Sequence, residues 1–198
     1  TTSVMTSMAL VAVPEQGSSI QYYARLWYTL PYAVLAVPIT VALFTEMSDS
    51  FAKGRLSDFA IEVNSGMRQV IFVLVPFMFY LIVFSRPLMS LMRIGRFDAE
   101  SASLTAGYLS TLSLALPFYG LSTFFQKVFS SMRHMKSFAI TNVIASVIQV
   151  IFTVLLTPKI GIHAVSLGSA LYMLITDVIS LFILKQTIDG IDMSALIG

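Results

Sequence analysis

Residues 22–38 read YYARLWYTLPYAVLAVP. One arginine, Arg25, stands at the mouth of a long uncharged run that carries two prolines, Pro31 and Pro38. Each proline removes an i→i−4 hydrogen bond and its ring crowds the preceding turn, so a soluble core helix seldom tolerates two so close together. In a membrane the freed backbone groups must find partners within the protein or in a wet cavity. Which solvent surrounds this segment therefore decides the fold.

Composition settles the solvent. Of the 198 residues, 57% are hydrophobic and 11% are charged, against about 25% charged in ordinary soluble domains. Charge-free runs extend over 26–45, 69–85, 101–126 and 137–158, and a fifth, 160–184, is interrupted only by His163 and Asp177. Each is near or above the roughly 17–25 apolar residues that cross a bilayer as a helix. No ten-residue alternation of the kind that builds an outer-membrane barrel is present. An all-α integral membrane protein is expected.

The pattern reads as one lobe with six apolar segments, at about 1–13, 26–45, 67–85, 101–126, 137–158 and 160–184. The first is too short to span and lacks the basic flank of a signal peptide, so a truncated helix of a longer protein is expected there. Two polar connectors have room for short interfacial helices. In 46–66, Met47, Phe51, Phe59 and Val63 with Lys53, Arg55 and Asp58 suit an amphipathic interfacial helix. In PLMSLMRIGRF (87–97), a short helical turn would stop at Gly95, and Asp98 would cap the next span. If successive connectors alternate sides, one side holds Lys53, Arg55, Arg68, Lys127, Arg133, Lys136 and Lys185. The other holds Arg25, Arg86, Arg93, Arg96 and Lys159. Seven against five places the first set in the cytoplasm.

Four of the seven prolines lie inside apolar runs: Pro31, Pro38, Pro76 and Pro117. Kinked spans are common where a pathway runs between helices. Ionisable groups in such runs are costly and mark function. Asp177 suits a coupling-cation site, or a pair with a cation on a neighbouring helix; an early end to its span would leave it at the interface. His163 follows a loop glycine and is expected at a helix start in the headgroup region. Arg25 either snorkels to lipid phosphates or turns inward to hold a phosphate-bearing substrate through its planar fork of donors.

A net charge of +2 gives no reason to expect nucleic acid, and without cysteine there is no disulfide, thiolate metal site or cysteine nucleophile. No phosphate-cradling G-x-x-x-x-G-K-[ST] loop, G-x-S-x-G elbow or H-E-x-x-H pair occurs. His134 and His163 stand 29 positions apart with no acidic cluster beside either. No cofactor, no metal and no enzymatic activity are expected.

QYYARLWYTLPYAVLAVPITVALFTEMSDSFAKG (21–54) resembles the eighth transmembrane region of the MviN/MurJ family. PLMSLMRIGRFDAESASLTAGYLSTLSLALPFYGLSTFFQKVFSSMRHMKS (87–137) resembles the family run in which an apolar stretch leads to Gly-x-Phe, nearby acids, a long span and a short basic turn. Its exit, VFSSMRHMKS, departs from the Tyr-Ala and Asp of many members. The last two segments fit the expected Asn-containing helix and its Gly-linked partner. The resemblance covers nearly the whole chain, but about the second half of a member. It implies a two-lobe exporter fold with the first lobe as partner, in the bacterial cytoplasmic membrane. The activity it implies is flipping of lipid II, the undecaprenyl-linked peptidoglycan precursor, by alternating access. Cavity arginines of the family bind the pyrophosphate, and Arg25 is the candidate here. Flipping of another lipid-linked oligosaccharide, cation-coupled drug export, or a transport-inactive scaffold for wall synthesis stand as alternatives.

Overall fold

Residue burial along the helix over 135–160 runs opposite to that of a soluble helix. Its buried positions are Phe138, Thr141, Ala145, Gln149, Thr153 and Thr157. The exposed ones are Ile140, Val143, Ile144, Val147, Ile148, Ile151, Val154 and Leu155. In water that arrangement would be costly on both faces. In a bilayer lipid covers the apolar face, while the threonines hydrogen-bond inside and let helices approach closely. The exposed Phe72, Phe79 and Val83 make the same point on another helix.

The computed structural model describes residues 2–14, 16–91, 99–188 and 190–191. In order these form α1 (Thr2–Ala12), α2 (Gly17–Pro31), a π turn (Tyr32–Ala36), α3 (Val37–Ala52), α4 (Leu56–Leu91), α5 (Ala99–Ser113), α6 (Leu116–Ser131), α7 (Met135–Ile160) and α8 (His163–Thr187). Four continuous stretches are long and apolar enough to cross a membrane: Gly17–Ala52, Leu56–Leu91, Met135–Ile160 and His163–Thr187. α5 and α6 are each too short, but they lie end to end along α4. Gly66 meets Phe124 and Gly120 meets Leu74, while Arg86 and Ser90 share a cleft with Ala102 and Ala106. Together they make one broken span, and with α1 the described residues form a six-membered all-α lobe.

Alternation sorts the turns to two ends. Residues 53–55 and 132–134 lie at one, here the Lys53 end; residues 13, 14, 16 and 161–162 lie at the other, the Gly161 end. A hydrogen bond from Ser101 to Gln16 (2.9 Å) ties α5 to the start of α2 at the Gly161 end. One from Asn64 to the Gly190 carbonyl (2.9 Å) closes the Lys53 end.

Several expectations need correction. The helix of the second span begins at Gly17, ahead of 26, because one face of its first turns, Gly17, Ile20 and Gln21, is buried and Gln21 donates to the Met5 carbonyl at 3.3 Å. The 46–66 connector holds no interfacial helix. α3 continues to Ala52, residues 53–55 turn, and α4 starts at Leu56. Met47, Phe59 and Val63 are fully buried, with the Phe51 and Phe59 rings 5.4 Å apart. Their spacing encoded the packing between α3 and α4, not a lipid-surface face. The helix that carries the third span accordingly covers 56–91, beyond 67–85 at both ends, and the fourth is split at Leu114–Ala115. Pro87 to Leu91 belong to α4; the Gly95 stop and the Asp98 cap lie outside the described residues.

The prolines act differently from one another. Pro38 cannot donate to the Val34 carbonyl, and its ring would clash there. The chain widens instead, with the Val37 N–H reaching back to the Tyr32 carbonyl, the i→i−5 bond of a π turn. Thr40 donates to the Ala36 carbonyl at 2.8 Å. Pro117 sits in the first turn of α6, where its missing N–H has no intrahelical partner to lose. Pro76 lies within the unbroken α4.

Candidate functional site

α2 presents Arg25 eight residues after Gly17, about 12 Å along the axis from the Gly161 end at the α-helical rise. Its neighbours on the inward face, one turn on, are Tyr28 and Thr29. Against them stand Leu112 from α5, Tyr119 from α6, Gln149 from α7 and Ser169, Tyr172 and Met173 from α8, with Met5 of α1 at the edge. Together they line an open cavity of about 260 Å³, into which the exposed Arg25 faces. Arg25 is its only charged lining residue, and among the described residues its guanidinium makes no ion pair.

Each wall is held from behind. The Tyr119 ring lies 4.6 Å from Tyr32, the first residue of the π turn, and 5.5 Å from Tyr28. Tyr172 donates to the Asn142 side chain of α7, which fixes α8 against its partner. Gly168 lets the two helices close: a Cβ there would stand 2.3 Å from the Thr153 hydroxyl. The cavity therefore offers one unpaired guanidinium, three phenol rings, two aliphatic hydroxyls and an amide. That set suits an anion joined to a hydroxyl-rich group, bound by charge-assisted and neutral hydrogen bonds.

Asp177 lies on α8 one turn toward the Lys53 end from Met173, beyond the residues that line the cavity. It is 4% exposed and α8 runs on to Thr187, so the carboxyl is far from an interface. Its Oδ1 accepts a hydrogen bond from Ser122 of α6 at 2.6 Å. His163 is the first residue of α8, as expected; its Nδ1 is 3.1 Å from the Thr111 hydroxyl, which Ser166 also reaches at 2.9 Å. That cluster fastens α8 to α5 and leaves His163 apart from Arg25 and Asp177. Among the described residues no group of three or more His, Cys, Asp or Glu could hold a metal.

Sequence reading singled out Arg25 and Asp177 but not Tyr28, Tyr119, Gln149 or Tyr172. A tyrosine counts as apolar in a membrane span. The available clue was the spacing of Thr141, Gln149, Thr153 and Thr157 by four or eight residues, which marks an inward polar stripe on α7.

Residues 1–197 match the family model described as "Lipid II flippase MurJ". The probable lipid II flippase MurJ of Borreliella burgdorferi is 25% identical over 182 residues, 91% of this chain and 36% of that protein. The lipid II flippase MurJ of Thermosipho africanus is 25% identical over 164 residues, 82% of this chain and 34% of that protein. A solved structure of lipid II flippase MurJ in an inward closed conformation superposes with a TM-score of 0.80 at 25% identity, over 92% of this chain and 39% of that one. The chain spans about a third of the length of these relatives.

Proposed function

Because the chain belongs to the lipid II flippase MurJ family, we propose that it forms one lobe of a bacterial cytoplasmic-membrane flippase that moves lipid II between leaflets by alternating access. Its working partner is the other lobe of the same protein, and its substrate is a polyprenyl pyrophosphate bearing a sugar-peptide head. Arg25 holds the pyrophosphate. A guanidinium fork can engage two phosphate oxygens at once, and a site about 12 Å inside the lobe lies deeper than headgroup phosphates of the bilayer. Tyr28, Tyr119, Tyr172 and Gln149 hydrogen-bond the sugar hydroxyls. The polyprenyl tail stays in lipid, where it loses no hydrophobic contact. The observation that carries this reading is the unpaired Arg25 on a cavity wall whose other polar groups are phenols, hydroxyls and an amide. With the Lys53 end in the cytoplasm, Arg25 lies toward the outer leaflet.

The test is native mass spectrometry of the full-length protein with lipid II, wild type against Arg25→Ala, with a polyprenyl-pyrophosphate polysaccharide precursor as competitor. Lipid II binding is expected to fall at least tenfold in the variant. Unchanged binding would return Arg25 to lipid snorkelling. Preference for the competitor would reassign the substrate to another lipid-linked glycan.

A further inference from the structure

We propose that Asp177 is a proton-carrying site beneath the Arg25 cavity: neutral while α6 is seated against α8, and ionised when that contact opens to water. The inference rests on the transport reading above and adds to it the coupling ion.

Position comes first. Asp177 lies fourteen residues after His163 and ten before Thr187, so about 21 and 15 Å of helix separate it from either end. It is 4% exposed. Oδ1 accepts from Ser122, but Oδ2 is buried with no partner, and so is the hydroxyl of Ser180, three residues on along the same helix. A bare carboxylate in such surroundings is so costly that the group takes up a counter-charge or neutralises.

No counter-charge reaches it. α2 contributes Tyr28 and, a turn nearer the Gly161 end, Arg25; neither forms a bond to Asp177. α6 contributes Tyr119 and Ser122; its one cation, Lys127, is turned away over the Phe44 ring of α3 at 5.3 Å. α5 contributes the buried Tyr108, whose hydroxyl lacks a hydrogen-bond partner. The inward face of α7 offers Asn142, Gln149 and threonines, none charged, and α1 has no titratable side chain. The leftover oxygens around it, Asp177 Oδ2, Ser180 Oγ and the Tyr108 hydroxyl, are too few to replace the oxygen shell of a metal cation. A proton needs only Oδ2.

The fold also supplies a hinge. The span breaks at Leu114–Ala115, immediately before α6, and Ser122 is less than two turns into that helix. Tilting α6 at the break separates Ser122 from Asp177 and opens the carboxyl to the cavity. The carboxyl O–H then gives its proton to water, leaving a carboxylate. Resealing requires the carboxylate to take a proton back, and if it does so from the opposite side one charge has crossed.

The full-length protein in liposomes tests this with two readouts. Infrared spectroscopy of the wild type is expected to show a buried protonated-carboxyl C=O band that Asp177→Asn removes. Lipid II transport driven by a pH gradient is expected to fall at least tenfold in Asp177→Asn, with lipid II binding within twofold of wild type. A band that survives the substitution, or gradient-driven transport that stays unchanged, overturns the proposal. So does an Asp177-dependent response to a sodium gradient in place of the pH gradient. If Asp177→Asn fails to insert, Ser122→Ala must shift the band by removing its hydrogen bond; an unmoved band overturns the assignment. Should the wild type not move lipid II at all, the transport reading fails, while the band still decides the state of the carboxyl.

Discussion

Arg25 and Asp177 were both visible in the sequence because charge stands out against an apolar run. What the run could not convey was their relation. They come from helices 152 residues apart in the chain, and only the packing of α2, α6 and α8 puts one on the wall of a cavity and the other beneath it. The geometry separates two roles for Arg25 by a conservative change. A lysine keeps the charge and can snorkel, but it is a point charge without the planar fork. If Arg25 grips a pyrophosphate through two parallel hydrogen bonds, Arg25→Lys loses most of the affinity that Arg25→Ala loses, roughly 2 kcal/mol for charge-assisted bonds. Isothermal titration with a soluble lipid II analogue measures it. A near-wild-type Kd for the lysine variant would mean that charge alone suffices.

At the scale of elements, the order of the helices was legible and their ends were not. Run length counts charges, whereas these helices extend through polar residues that neighbours satisfy: Gln21 on the Met5 carbonyl, or Ser50 donating to Glu62 at 2.7 Å. The amphipathic spacing of 47–63 was real, but the face it defined packs on protein rather than on lipid headgroups, and spacing alone cannot tell these apart. The charges of that turn, Asp49 with Lys53 (2.8 Å) and Arg55 (3.0 Å), and Arg55 with Asp58 (3.2 Å), are exposed and contribute little to stability. Close helix approach matters more. A Cβ on Gly17 would stand 2.2 Å from the Ala9 carbonyl oxygen, and a backbone atom cannot rotate aside. Gly17→Ala is therefore expected to destabilise the junction of α1 and α2 by about 1–3 kcal/mol, the usual cost of overpacking. A lowered thermal midpoint of the full-length protein in detergent checks this; an unchanged midpoint would mean that α1 shifts freely.

For the whole molecule, the lobe was legible as an inside-out helical bundle, while its orientation followed only from a slender excess of basic residues. This chain has no cysteine, so orientation is open to direct labelling in the full protein once any cysteine elsewhere is replaced. Lys159→Cys is expected to react with a membrane-impermeant maleimide added to intact cells, and Lys53→Cys only after lysis. The reverse pattern would invert the bundle and turn the Arg25 cavity toward the cytoplasm. α4 bears on the same asymmetry. Its 36 residues make a rod about 54 Å long, longer than the roughly 40–45 Å of a bilayer with its headgroups. The charge-free part, 69–85, covers about 26 Å of it. Some 20 Å of rod precedes that part on the Lys53 side and about 9 Å follows it on the other. The protein therefore stands in the membrane like a mast stepped off-centre, with most of its overhang in one aqueous compartment. A bilayer that thickens or thins must tip it rather than stretch it.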